Sequence, residues 1–288
     1  MARPSPTAAC RALGFRLKRH RLAHDDTTLG AVAKRVGMGA SSISRAESGE
    51  QALIPAVVEK ILDYFDVADI AERAECLDLA AQARKRGPWA GRAPLLNATF
   101  LSLEDAATEI CCLDPATIPG LLQTRRYFRV LAQTQLPGVS EAELDSRTEV
   151  RIERQLILTR DDPCQLQVVL DEAVLHRVVG APAVMAEQFE HLITMAHSHN
   201  VEMQVLPFSE GEYGVAAGFT ILRFEEPTDP GTVYLEHPHR DEFVDGAAEV
   251  ARFDSLWSRL RAIAASPTQS LRMLRAARDR FIEQGKDR

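Results

Sequence analysis

The stretch RVGMGASSISRAESGE, Arg35 to Glu50, decides how the first part of the chain folds. Gly37 stands where a helix needs a left-handed residue to stop, a conformation glycine adopts without steric cost. The residues after Met38 predict a short helix with Ile43 and Ala46 inward and Gly49 closing it. Gly39, Ala40, Ser41 and Ser44 give that helix an outer face of very small side chains, beside which Arg45 is the one long cation.

Upstream, Leu29, Val32, Ala33 and Val36 fall at i, i+3, i+4 and i+7, which predicts a helix with Thr28 as its N-cap. Before it, RALGFRLKRHRLA (Arg11 to Ala23) sets Leu13, Phe15, Leu17 and Leu22 against Arg16, Lys18, Arg19 and Arg21. Downstream, Pro55 opens a helix with Val58, Ile61, Leu62 and Phe65 inward. Asp69-x-x-Glu72 is a capping-box start for a fifth helix, from about Ile70 to Arg84, with Ile70, Ala74, Leu77 and Ala81 inward. Helix, glycine turn and helix make a helix-turn-helix. Its second helix has a short polar face of the kind that enters a major groove about 12 Å wide.

Charge supports that expectation. The chain carries −7 overall, but residues 1–48 carry +6 and residues 49–288 carry −13. A basic head on an acidic body suits contact with a polyanion at one end only.

AVAKRVGMGASSISRAESG (Ala31 to Gly49) resembles the core of Xre-type, lambda-repressor-like DNA-binding domains, through Ala33, Gly37, Ile43, Ser44, Arg45, Glu47 and Gly49. The resemblance covers about Leu13 to Val67. It implies a supporting helix at Ala31–Val36, a recognition helix at Gly39–Ser48, and a partly buried ion pair between Arg21 and Glu47. Where the family has a phosphate-touching glutamine early in the supporting helix, this chain has Leu29. On this footing the expected base contacts to double-stranded DNA are Ala40, Ser41, Ser44 and Arg45. The expected phosphate contacts are Arg16, Lys18, Arg19, Thr28, Lys34 and Ser42. One head this small offers few base contacts, so a homodimer reading two half-sites is expected.

ARKRGPWAGRAPLLNATF (Ala83 to Phe100) holds two glycines and two prolines and predicts a hinge. The expected organisation is an all-α helix-turn-helix domain of five helices at 1–86, a linker at 87–99, an α+β domain at 100–275 and a tail at 276–288. In the second domain a helix is expected from Leu101 to Glu109, followed by a turn through Pro115 and Pro119 into another from Leu121. Ser140-x-x-Glu143 caps a charged helix running to about Thr159. QLQVVL, VEMQVL, GFTILRF, TVYLE and EFVD predict a small, mostly antiparallel sheet, and two helices close the chain.

In order along the chain, IPGLLQTRRYF, RTEVRIERQLILTR, VVLDEAVLHRVVGAPAVMAEQFEHL, NVEMQVLPFSEGEYG, GFTILRF and VYLE resemble a domain of unknown function in actinobacterial, antitoxin-like regulators that follows an Xre-type head. The resemblance implies a partner, a small acidic protein encoded by a neighbouring gene.

Chemistry is sparse. Five cysteines form no C-x-x-C pair and are expected to be reduced and mostly buried. His191, His197, His199, His237 and His239, near Glu236, Asp241 and Glu242, lack metal-ligand spacing, so no metal and no cofactor is expected. Asp171 and Glu172 suit a helix start better than a catalytic pair. FSEGEYGVAAGF predicts a hairpin connection or a ligand lip. Arg147, Arg151 and Arg154 predict a solvated, ion-paired face with Glu143 and Glu153. No apolar run nears the ~18 residues of a membrane span, and the N-terminus has no signal-like core. A cytoplasmic protein, nucleoid-associated when on DNA, is expected. The leading expectation is a non-enzymatic, sequence-specific transcriptional regulator whose second domain senses a partner or ligand. The alternatives are an antitoxin-like module that sequesters its partner and a metal-dependent hydrolase tethered to DNA.

Overall fold

The computed structural model describes residues 8–24, 27–84, 97–210, 217–226, 229–237 and 241–286. Chain contacts divide it into two units, Met1–Ala106 and Ala107–Arg288.

The first unit contains α1 (Ala8–Leu22), α2 (Leu29–Val36), α3 (Ala40–Glu47), α4 (Pro55–Tyr64), α5 (Ile70–Gln82) and α6 (Ala98–Ala106). Thr28 caps α2 by accepting from the Ala31 amide, and Gly37 ends it in the left-handed region at φ 75°. Leu13 and Leu17 of α1, Val32, Ala33 and Val36 of α2, Ile43 and Ala46 of α3, and Val58, Ile61 and Leu62 of α4 share one core with Phe65, Cys76 and Ala80. Leu22, expected on the apolar face of α1, is instead exposed.

Of the four residues of helix α5 expected inward, Leu77 packs partly buried against the core and the other three do not. Cys76 and Ala80 are buried, whereas Ile70 is 82% exposed and Ala74 and Ala81 face solvent. The cause is electrostatic. Glu72 lies one turn before Cys76 and meets arginines of α1, so the helix packs through its Glu72–Cys76–Ala80 stripe.

The second unit is α+β. Its strands β1 (Glu109–Asp114), β2 (Gln165–Asp171), β3 (Val201–Leu206), β4 (Phe219–Arg223), β5 (Thr232–Leu235) and β6 (Glu242–Val244) form one sheet in the order β3-β2-β1-β4-β5-β6. The pairings β1–β4, β4–β5 and β5–β6 are antiparallel, while β1–β2 and β2–β3 are parallel. The sheet is therefore mostly antiparallel, as expected, but mixed. Two crossovers make the parallel half: α7 (Arg125–Gln135) and α8 (Glu141–Arg154) join β1 to β2, and α9 (Ala173–His176) and α10 (Pro182–Met195) join β2 to β3.

Strand β1 was absent from the sequence expectation, which ran a helix to Glu109. The helix ends at Ala106, and EICCLD becomes the central strand, with Ile110, Cys111 and Leu113 buried. A strand covered on both faces shows no alternation, and four apolar residues in a row resemble a helix end as readily as a strand.

Helix α11 (Ala247–Ile263) lays Val250, Trp257 and Leu260 over Cys111, Leu113, Val169, Ile221 and Val233. Helix α12 (Pro267–Lys286) packs on α10, where the Phe281 and Phe189 rings stack at 5.8 Å. Three glutamines, of which Gln123 and Gln188 are buried, hold the segment after β1. Gln123 Nε2 donates to the Ile118 carbonyl, Gln155 Nε2 to those of Gly120 and Gln123, and Gln188 Nε2 to that of Leu122. The cysteines form no disulfide among the described residues. Burial pushes the Cys10 thiol up to about 11 and that of Cys111 to about 12, which keeps both protonated and unreactive.

Helices α1 and α3 approach so closely at Gly14 that a Cβ there would lie 2.3 Å from the Ala46 carbonyl oxygen and 2.9 Å from that of Glu47. Backbone cannot yield as a flexible side chain can. Gly14→Ala is expected to destabilise the first unit by about 1–3 kcal/mol, the usual cost of overpacking, read as a lower urea midpoint.

Candidate nucleic-acid interface

Helix α3 is held by α1. Arg21 Nε donates to Glu47 Oε1 and Arg21 Nη2 to Glu47 Oε2, both at 2.8 Å. The Glu47 side chain is only 7% exposed, so a charge has been taken out of water and matched by a two-pronged partner. Gly49, at φ 74°, completes the contact, since a Cβ there would meet the Arg11 backbone at 2.8 Å.

With Ile43, Ala46 and Glu47 buried, α3 presents Ala40, Ser41, Ser44 and Ser48 to solvent. At 3.6 residues per turn these fall within an arc of about 100°. Ser42 and Arg45 are half-buried at its margin. Arg45 folds back along its own helix, with Nη2 3.4 Å from Ser42 Oγ. Its Nε is buried without a hydrogen-bond partner among the described residues. The guanidinium fork therefore has to swing outward before it can engage a base edge.

The expected phosphate contacts divide into two groups. Lys18, Thr28 and Lys34 are exposed, and so is Arg35, which the sequence reading passed over. Its signal was available: it follows Lys34 in the last turn of α2, outside the apolar stripe. Arg16 and Arg19 instead lie against α5. Arg16 Nη1 reaches Glu72 Oε2 and Arg16 Nη2 reaches Glu75 Oε1, both at 2.5 Å. Arg19 Nη2 lies 2.9 Å and His20 Nε2 3.0 Å from Glu72 Oε1. A phosphate would have to displace a carboxylate to gain either arginine. Leu29, in place of the family's glutamine, packs partly into the core.

In the second unit, Asp171 Oδ1 accepts from the Ala173 amide and Glu172 Oε2 from the Phe208 amide, so these carboxylates tie turns together. His191 is half-buried and its Nε2 lacks a partner among the described residues; burial lowers its affinity for a proton. His239 and the centre of the glycine-rich loop, 211–216, lie outside the described residues. Among those described, no group of three or more His, Cys, Asp or Glu is arranged to hold a metal ion, and no helix is long and apolar enough to cross a membrane.

The face expected of Arg147, Arg151 and Arg154 is not uniformly solvated. Arg147 pairs with Glu143 at 2.8 Å in the way a surface pair does. Arg154 is only 5% exposed, and Arg151 lies 4.7 Å over the Phe128 ring. The helix bearing them packs against the glutamine-held segment, and in its last turn Arg154 is buried while Glu153 is exposed.

Glu72 gives the first unit an acid sensitivity. Burial acts to raise its pKa, but the hydrogen bond with His20 and the charges of Arg16, Arg19 and His20 together outweigh it, and the carboxyl sits below its ordinary 4.5. A depressed carboxylate contributes stability that is fully present above its unfolded value and is lost as pH falls through the folded one. Urea titrations from neutral pH to below pH 4.5 should therefore show a steeper acid loss for the wild type than for Glu72→Gln.

Two family models match the chain. A helix-turn-helix domain matches residues 12–76, and a domain of unknown function, DUF5753, matches residues 97–276. No curated protein and no solved structure matches it. A helix-turn-helix head thus precedes a second domain that makes up more than half of the sequence, and by that domain the chain belongs to the DUF5753 family.

Proposed function

We propose that this protein is a cytoplasmic, sequence-specific transcriptional regulator of the Xre, lambda-repressor-like type that binds operator DNA as a homodimer. The carrying observation is the exposed Ala40–Ser41–Ser44–Ser48 face of α3, held at a fixed angle by the Arg21–Glu47 pair within a matched helix-turn-helix domain. The residues at 1–86 bind DNA, and those at 100–275 sense a small acidic partner protein or a ligand. The protein acts by binding rather than by turnover.

The Ala40 methyl meets a thymine methyl, and Ser41 and Ser44 bond to more than one base. Arg45, swung away from Ser42, forks onto guanine O6 and N7. Such a head reads sparsely, and DNA shape and half-site spacing supply the remaining selectivity. Phosphates are met by Lys18, Thr28, Lys34, Arg35 and Ser42, while Arg16 and Arg19 serve mainly to hold α5.

Binding-site selection on random duplexes tests this proposal. Arg45→Ala should relax the preference at one base pair per half-site, at a cost of about 1–3 kcal/mol; an unchanged preference would overturn the assignment. Lys34→Ala should weaken all sequences alike and lower the salt slope by about 1 per head. Arg16→Ala should change that slope less, because Arg16 is already neutralised by Glu72 and Glu75.

A further inference from the structure

The main chain of Arg45 is anchored while its side chain is not. The Arg45 carbonyl accepts from the Ser48 hydroxyl at 3.2 Å, from the Glu50 amide at 2.8 Å and from the Gln51 amide at 3.1 Å. These bonds close the C-terminal end of α3 and fix the Cα on which the side chain pivots. Movement of the guanidinium toward DNA is therefore a change of rotamer, with no rearrangement of backbone.

A helical side chain leans toward the N-terminus of its helix, so Arg45 covers the preceding turn, where Ser42 stands three residues back. Arg45 Nη2 donates to Ser42 Oγ at 3.4 Å, beyond the ~2.7–3.2 Å of most such bonds. Arg45 Nε is buried with no partner among the described residues. A buried N–H left unmatched costs its desolvation, and more so on a charged group. The withdrawn pose thus shelters the methylene stem but leaves a donor unmet. Swinging out returns Nε to water or to a ligand. The two poses are closely matched, and the Ser42 hydroxyl favours the withdrawn one.

We propose that Ser42 is a positioning residue for Arg45, a latch that keeps the fork withdrawn until guanine O6 and N7 take the place of the serine oxygen. On DNA without guanine at that position the head is held by its phosphate contacts alone. A binding state that is only partly populated lowers apparent affinity by the same fraction, so the latch lowers the preference for guanine. Removing it sharpens that preference. Loss of a base contact would instead relax it, and loss of a phosphate contact would weaken all sequences alike. The latch deepens the DNA-reading role proposed above and rests on it, but it is first measured in the free protein.

The first measurement is solvent exchange of the Arg45 Nε–H by nitrogen-resolved NMR of the full chain without DNA, the resonance being assigned by its loss in Arg45→Lys. Exchange should be slower than that of the exposed Arg35. Ser42→Ala should quicken it about two- to tenfold, the weight of one hydrogen bond. Ser42→Thr, which keeps the hydroxyl, should restore it. The second measurement is binding-site selection. Ser42→Ala should raise the preference for guanine at the base pair read by Arg45 by about the same factor, whatever it does to overall affinity. Ser42→Thr should match the wild type. Wild-type exchange as fast as that of Arg35, exchange unchanged by Ser42→Ala, or a guanine preference that Ser42→Ala leaves unchanged or lowers would each overturn the latch. Its failure is distinct from failure of the reading: the first leaves Arg45→Ala with a relaxed preference, the second leaves Arg45→Ala with the wild-type preference.

Discussion

The bidentate pair between Arg21 and Glu47 is the contact on which the head depends. Helix α3 is eight residues long, and its outer face has little with which to grip anything. Its usefulness lies in being held at one angle. A charged pair supplies that angle because two parallel hydrogen bonds fix orientation as well as distance. Gly14 and Gly49 permit it by letting the backbones of α1, α3 and the following turn come together without a Cβ between them. The pair is largely buried, so either partner alone would be a desolvated charge, and the two are retained or lost together.

The same helix α1 shows why a count of charge overstates the positive surface. Arg21 is committed to α3, and Arg16 and Arg19 to carboxylates of α5. The exposed cations of these helices include Lys34 and Arg35 on α2 and Lys18 on α1. Helix α5 thereby joins the head through its acidic stripe, which is why Ile70 is left to solvent. The second unit uses arginine in a comparable way. Arg151 and Arg154 sit at the end of a helix whose exposed turns look like an ordinary ion-paired surface, yet Arg151 lies over the Phe128 ring and Arg154 is buried.

Much of this was legible in the sequence. The period of Leu29, Val32, Ala33 and Val36, the left-handed stop at Gly37 and the cap at Thr28 are local, and the structure places them where spacing and side-chain chemistry put them. Strands β2 to β6 announced themselves by short apolar runs between turns. Strand β1 did not, because burial on both faces erases alternation. The inward face of α5 was hidden because apolar spacing cannot register a carboxylate buried by a distant arginine. The orientation of Arg45 and the posts taken by Arg16, Arg19, Arg151 and Arg154 depend on residues far along the chain.

By itself the sequence determined the helix-turn-helix, its small polar outer face, the α+β character of the second domain and the absence of any long apolar span. These follow from periodicity, caps and composition, which act over a few residues. Only the tertiary structure decided which cations are displayed, which face α5 buries, that the sheet is mixed, and that Arg154 is buried while Arg151 lies over the Phe128 ring. The reason is that a charge takes its role from what it meets in space. A long side chain such as arginine reaches several ångströms past its own helix, so its partner is set by how elements cross rather than by its neighbours in sequence.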